Sequence, residues 1–182
     1  MLKRTLLVAA LLSAVCLAQG GKKPTDGAVA AGVYTNRYFA FEYTLPKGLE
    51  DRTASVPQDP RGLSYALLYV AEPKQATRAA SSVTFFADDA AAWKSKDGAE
   101  YLDRFSAQMA GRADLVGKLT SFDIGGRHFW RQDFQPHAGF TVRQTVIATV
   151  IKGYVLSVVL TAADPAGVEA LLAGVKAMRF HP

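Results

Sequence analysis

Two consecutive apolar segments constrain the fold of this 182-residue sequence more than any other feature. They span 140–151 and 154–161, and Lys152-Gly153 between them suits a tight hairpin turn. Val, Ile and Leu stand at consecutive positions in both segments, not only at alternate ones. A strand that is apolar on both faces needs cover on both faces. We therefore predict that this pair lies near the middle of an antiparallel sheet with other elements on either side.

The preceding residues extend this pair into an antiparallel meander. Gly125-Gly126 predicts a two-residue turn between strands at 119–124 and 127–134. In the segment 38–44, aromatic residues occupy every second position, which is typical of a half-buried strand. The remaining predicted strands are 33–35, 38–44, 63–70 and 82–87.

Two helices are predicted from capping residues and apolar stripes. Asp97, followed three residues later by Glu100, forms a reciprocal capping pattern, and Gly111 is a suitable stop. Asp164 suits the cap of the last helix, and Pro165 suits its first position, where a missing N–H costs nothing. The predicted buried stripes are Tyr101, Leu102, Phe105 and Met109 in the first helix and Val168, Leu171, Leu172, Val175 and Met178 in the second.

The first residues have the three parts of a secretory signal. Lys3 and Arg4 give a positive start, the run 6–17 is apolar, and it ends in the small-x-small pattern Cys16-Leu17-Ala18. This run is shorter than the ~20 residues that span a bilayer. A buried N-terminal helix is the alternative interpretation, but such a helix would not need a positive start and a small-x-small end. We expect a signal peptide over 1–18, a flexible lead over 19–31 and one globular domain over 32–182, exported to the periplasm or secreted.

Cys16 is the only cysteine, and it lies inside the predicted signal. Its position suits the acylated cysteine of a lipoprotein, although Val15 before it is larger than such signals prefer. Cleavage after Ala18 would instead leave a mature chain without any thiol. Lipidation of Cys16 therefore remains an alternative to release of the domain.

The charge balance excludes some partners. The chain carries 21 basic and 16 acidic side chains, and removal of Lys3 and Arg4 leaves 19 basic ones, a net charge near +3. An exported domain with so small a charge is not expected to bind nucleic acid. No second apolar run reaches membrane-spanning length, so we expect no transmembrane segment in the mature chain.

Two segments resemble the PsbP-like superfamily of small exported domains. The first is 33–49, VYTNRYFAFEYTLPKGL, with its alternating aromatics followed by a Pro-x-Gly turn. The second is the strand 154–160, followed by a helix and then Met178-Arg179-Phe180. The resemblance covers most of 32–180. It implies an α+β fold in which helices cover both faces of an antiparallel sheet, an α/β/α sandwich. It also implies a non-catalytic module that binds a protein or envelope component, without a cofactor.

No pattern for catalysis or metal binding was found in the sequence. A serine nucleophile in a G-x-S-x-G turn is absent, and so is a glycine-rich phosphate loop. The adjacent carboxylates Asp88-Asp89 and Glu50-Asp51 are predicted to be solvated loop residues. A metal site needs several histidines that converge with carboxylates. None is expected here, because the histidines are not predicted to converge: His128, His137 and His181.

One surface is the strongest candidate for partner binding. Arginine and tryptophan are the residues that most often anchor interfaces, and the strand 127–134 and its neighbour contain three arginines and Trp130. The alternative is that Trp130 and Phe134 are core and the arginines are a solvated face. Trp93 and the loop 50–61 form a second candidate patch. The candidate partner-binding residues are Arg127, Phe129, Trp130, Arg131 and Arg143.

The sequence thus predicts an exported, non-catalytic binding or accessory module. Two alternatives remain at this stage. One is an exported enzyme with an unrecognised hydrolase-type site, and the other is an envelope protein tethered through Cys16.

Overall fold

The structure is a computed structural model that describes residues 22–73 and 81–182. The predicted signal peptide, Cys16 and the first residues of the predicted lead lie outside the described residues.

The predicted meander forms part of a large antiparallel sheet. Its strand order is β4-β5-β6-β10-β9-β8-β7, so the doubly apolar pair β9 and β10 lies in the middle, as predicted. A single 3-10 turn, Thr53–Ser55, follows β4. The strands are β4 (Glu50–Asp51), β5 (Ser64–Ala71), β6 (Ser82–Asp89), β7 (Ala113–Ile124), β8 (Arg127–Pro136), β9 (Arg143–Ile151) and β10 (Tyr154–Ala162).

Both predicted hairpin turns are present, and both need a left-handed backbone. Gly125 and Gly126 have φ of 53° and 77°, and Lys152 and Gly153 have φ of 53° and 81°. Two consecutive positive φ values give a turn whose twist matches that of the flanking strands. These turns fix the register of β7 with β8 and of β9 with β10.

A second, small sheet was not predicted. It has the order β1-β2-β3-β11, and its first strand lies within the predicted flexible lead. The lead lacks the hydrophobic alternation that predicts a strand, since the residues of β1 are mostly exposed. Its ladder with β2 holds β1 in place. The strands are β1 (Gly27–Ala30), β2 (Val33–Asn36), β3 (Phe41–Thr44) and β11 (Arg179–Phe180).

The aromatic strand predicted at 38–44 is shorter than expected but is buried as expected. Ala40 has a φ of 55°, which places a turn before β3. Phe39, Phe41 and Tyr43 are nevertheless all at most 1% exposed. The alternation therefore predicted burial correctly beyond the end of the strand.

The two helices begin and end close to the predicted residues. They are α1 (Gly98–Met109) and α2 (Pro165–Lys176). The Asp97 carboxylate accepts a hydrogen bond from the Glu100 amide at 2.9 Å, and the Asp164 carboxylate accepts one from the Gly167 amide at 2.7 Å. The Glu100 carboxylate reaches back to the amide of Lys96 (3.0 Å), one residue before the expected partner.

The core consists of two clusters that share the large sheet. Along β9, Val146 and Ala148 belong to the cluster of α1, whereas Ile147 and Ile151 belong to the cluster of α2. The small sheet contributes Phe41 and other aromatic residues to the cluster of α2. The chain is therefore an α+β domain of antiparallel sheets with two helices. The resemblance had implied that helices cover the large sheet. The small sheet contributes to that cover together with the helices.

Neither described helix has the length and apolar character needed to cross a membrane.

Candidate binding cleft

A cleft lies where the end of β6 and the following turn meet α1. Its volume is about 610 Å³, and the loop before β5 forms its third wall. We call it the Trp93 cleft. It is lined by Asp59, Arg61, Leu63, Ser64, Asp88, Ala92, Trp93, Lys94, Arg104, Ala107 and Gln108.

Asp88 forms the floor of the Trp93 cleft and is 5% exposed. Ser64 faces it across the β5–β6 ladder, and the Ser64 hydroxyl donates to Oδ1 at 2.5 Å. The Tyr101 hydroxyl of α1 donates to Oδ2 at 2.8 Å. Burial raises the pKa of Asp88, and the neighbouring hydroxyl groups oppose this rise only in part. Asp88 therefore links α1 to the large sheet below the cleft.

The prediction that Asp88 is a solvated loop carboxylate was wrong. Strand β6 continues to Asp89, and Asp88 lies on the face of this strand that α1 covers. Its neighbour Asp89 remains at the turn, where its carboxylate accepts the Ala92 amide at 2.8 Å. The period-two pattern of Val83 and Phe85 places Asp88 on the opposite face, and only the packing of α1 on that face buries it.

Trp93 is held rigidly at the wall of the cleft. Its ring lies 4.7 Å from the Tyr101 ring, centroid to centroid. The Trp93 amide donates to the Asp89 carbonyl at 3.1 Å, and the Ser95 amide donates to the Ala90 carbonyl at 2.9 Å. Between them Lys94 adopts a φ of 51°. The tight turn thus projects an indole and an ammonium group side by side.

The cationic side chains of the cleft differ in their pairing. Arg61 is bound to the Asp59 carboxylate at 3.1 Å. Within residues 22–73 and 81–182, Lys94 and Arg104 form no side-chain hydrogen bond or ion pair. Two cations are therefore available to a ligand at this cleft.

The five predicted partner-binding residues do not form one surface. Phe129 is fully buried and packs 6.2 Å from the Phe180 ring, so it is a core residue. The Arg127 guanidinium stacks over that same Phe180 ring at 4.9 Å. Trp130 packs partly into the α1 cluster and shares a shallow groove with Arg127 and His128.

The other two predicted residues, Arg131 and Arg143, lie beside α2. Arg131 binds both oxygens of Asp133, at 2.8 and 3.0 Å, and also Glu169 of α2 at 2.5 Å. A small cavity of about 70 Å³ lies beside these groups, and Arg143 lines it together with Arg131. With 18% of its side chain exposed, Arg131 primarily fastens α2 to β8. The structure thus brings Arg127 and Trp130 together and separates them from this ion-pair cluster.

The histidines lie apart, each beside one carboxylate. His128 pairs with Asp123 at 2.9 Å, and His137 pairs with Asp114 at 3.0 Å. His181 is 3.6 Å from a carboxylate oxygen of Glu42. In the described parts of the chain, no three His, Cys, Asp or Glu side chains converge in a way that could hold a metal ion.

Comparison with known proteins identifies the fold. No protein-family model and no curated protein matches the sequence. The cyanobacterial PsbP protein CyanoP from Synechocystis sp. PCC 6803 is similar in structure, with a TM-score of 0.52 and 11% identity over 89% of this chain and 96% of that one. PA94 of Pseudomonas aeruginosa, a protein of unknown function, has a TM-score of 0.50 and 14% identity over 82% and 96%. The chain therefore has the PsbP-like fold that its sequence resemblance predicted.

Proposed function

We propose that this chain is an exported, non-catalytic binding or accessory module and that the Trp93 cleft is its binding site. One observation carries the proposal: the cleft offers two unpaired cations, while its single buried acid already accepts hydroxyl hydrogen bonds on both oxygens. The PsbP-like fold is compatible with such a role.

The chemistry of the cleft supports binding over catalysis. A serine nucleophile needs an adjacent base that a third group orients. The Ser64 hydroxyl is instead hydrogen-bonded directly to Asp88, and the described residues that line the cleft include no histidine or cysteine. Asp88 itself is 5% exposed, which leaves little of it for a substrate to contact.

The proposal takes the predicted signal over 1–18 as cleaved and the domain over 32–182 as the exported unit. It also places α1 and α2 on opposite faces of the large sheet, which the two separate core clusters support. Mass spectrometry of the mature chain tests the export step. A free Gln19 amino terminus is expected, and an acylated Cys16 would instead support the tethered form.

Site-specific photo-crosslinking tests the binding role. A benzophenone amino acid replaces Ala107, an exposed residue of α1 in the cleft, in cells that export the protein. The control places the same probe at Ala170, an exposed residue of α2. We expect a discrete adduct from the cleft position alone. No adduct, or the same adduct from both positions, would contradict the proposal.

A hydrolase-type activity is the second candidate, and one observation favours it. A buried acid with a raised pKa that faces a cleft is a recurring feature of general acid catalysts. Turnover of any ester, amide or glycoside substrate that Asp88→Asn abolishes would establish this activity and reject the non-catalytic role.

A further inference from the structure

We propose that the Trp93 cleft binds a small anionic ligand, with its acidic group held by Lys94 and Arg104 and a flat apolar part against Trp93. This inference rests on the proposed function, because it names the ligand class of the same cleft. The shared chemistry is an oxyanion, a carboxylate or a phosphate, on an aromatic or similarly flat carrier.

The charges of the cleft favour an anion. The ion pair of Arg61 with Asp59 is internally balanced. The unpaired groups are then the ammonium of Lys94 and the guanidinium of Arg104. The floor acid Asp88 is one carboxyl against these two cations, and both of its oxygens already accept hydroxyl hydrogen bonds. The potential at the rim is consequently positive.

The two cations come from different elements and have complementary geometry. Arg104 projects from the exposed face of α1, and its planar guanidinium suits bidentate binding of a carboxylate or phosphate. Lys94 projects from the turn after β6 as a point charge. Because both side chains line the cleft, an acidic ligand group there would gain charge-assisted hydrogen bonds from them.

The indole is positioned before any ligand arrives. Trp93 packs on Tyr101, and the Tyr101 hydroxyl is fixed by Asp88. A ring that is already immobilised loses little conformational entropy on binding. The cleft volume of about 610 Å³ falls within the range of small-molecule sites. These features favour a compact ligand over an extended strand or helix.

Titration of the mature chain with benzoate and with phenyl phosphate tests the proposal, and benzylamine serves as the cationic control. The chain has two tryptophans, so Trp130→Phe assigns the indole N–H resonance of Trp93 in NMR spectra. We expect saturable shifts of this resonance with both anions and none with benzylamine. A preference between the two anions distinguishes a carboxylate ligand from a phosphate ligand.

Two matched variants locate the anion. Arg104→Gln removes the guanidinium from the cleft, whereas Arg112→Gln removes an equal charge from an exposed position outside it. We expect the first to weaken anion binding about tenfold, the effect of losing one charge-assisted hydrogen bond, and the second to leave it unchanged. Equal affinity in both variants, or benzylamine binding as tight as that of benzoate, would overturn the proposal.

Crosslinking and anion titration separate the binding role of the cleft from the class of its ligand. A cleft-specific crosslink at Ala107 without anion binding would contradict the ligand class alone. Absence of that crosslink would contradict the binding role of the cleft itself.

Discussion

Removal of the Tyr101 hydroxyl is a direct test of the buried link between α1 and the large sheet. In Tyr101→Phe the ring keeps its packing against Trp93 and Phe105, so the substitution removes chiefly the 2.8 Å hydrogen bond to Asp88. A hydrogen bond to a charged group contributes about 1.5–3 kcal/mol. We expect the free energy of unfolding to fall by about 2 kcal/mol and the melting temperature by about 4–8 °C.

Urea unfolding followed by circular dichroism measures this change. Tyr101→Phe, Asp88→Asn and the double variant complete a thermodynamic cycle with the unmodified chain. Because the two residues are in contact, their effects should not be additive, with a coupling energy of about 0.5–3 kcal/mol. A loss below about 0.5 kcal/mol in Tyr101→Phe, with additive effects in the cycle, would refute the structural role of this hydrogen bond.

The pH dependence of the same pair has a defined sign. The pKa of Asp88 in the folded chain lies above its ordinary value of 3.8, so the folded state binds the proton more tightly than the unfolded state. This contribution to stability is complete below pH 3.8 and is lost as the pH rises through the raised pKa. Asp88→Asn lacks the ionisation. Relative to the unmodified chain, it should be more stable at neutral pH than near pH 3.5. Parallel stability curves would contradict the assignment.

Three further predictions test packing and surface charge. Gly98→Ala would place a Cβ against the carbonyl oxygen of Ala148, and we expect urea unfolding to show a loss of about 1–3 kcal/mol. Gly174→Ala, where a Cβ on the helix meets open space, should instead raise the free energy of unfolding by about 0.5–1 kcal/mol. Equal changes in the free energy of unfolding for the two variants would contradict both predictions. The hydrogen bond to Asp114 raises the pKa of His137 above 6.5. The pair therefore stabilises the fold below pH 6.5, and this stabilisation is lost as the pH rises through the raised pKa. NMR titration should show the pKa return towards 6.5 in Asp114→Asn, and an unchanged value would exclude the pairing.

The sequence predicted those elements whose side chains carry their own signal. Helix α1 has a cap at Asp97 and a buried stripe, and both were recognisable before its packing was known. The turn at Gly125 needs a left-handed backbone, which glycine adopts readily. In such cases local chemistry and tertiary structure agree, so the elements could be placed to within a few residues.

Elements that depend on backbone pairing or on distant partners could not be predicted. Strand β1 has exposed or half-buried residues without alternation, and only its ladder with β2 reveals it. The Trp93 cleft brings together Trp93 and the loop 50–61, the second candidate patch, but it also includes Lys94 of a turn and Arg104 of a helix, an arrangement that no sequence spacing encodes. Phe129 was included in the candidate binding surface together with the arginines of its strand, yet the small sheet covers it through Phe180.

The irregularity in β7 has a consequence for handling the protein at high concentration. This strand ends the seven-stranded sheet, and its register with β8 shifts between Val116 and Thr120. Gly117 there has a φ of 71°, and Leu115 beside it is 57% exposed. An uninterrupted edge strand of twelve residues would present a long row of unpaired backbone groups to further chains, as in fibril growth. The bulge divides that edge into two short stretches, so a variant with a regular β7 should polymerise under conditions in which the native chain stays dispersed.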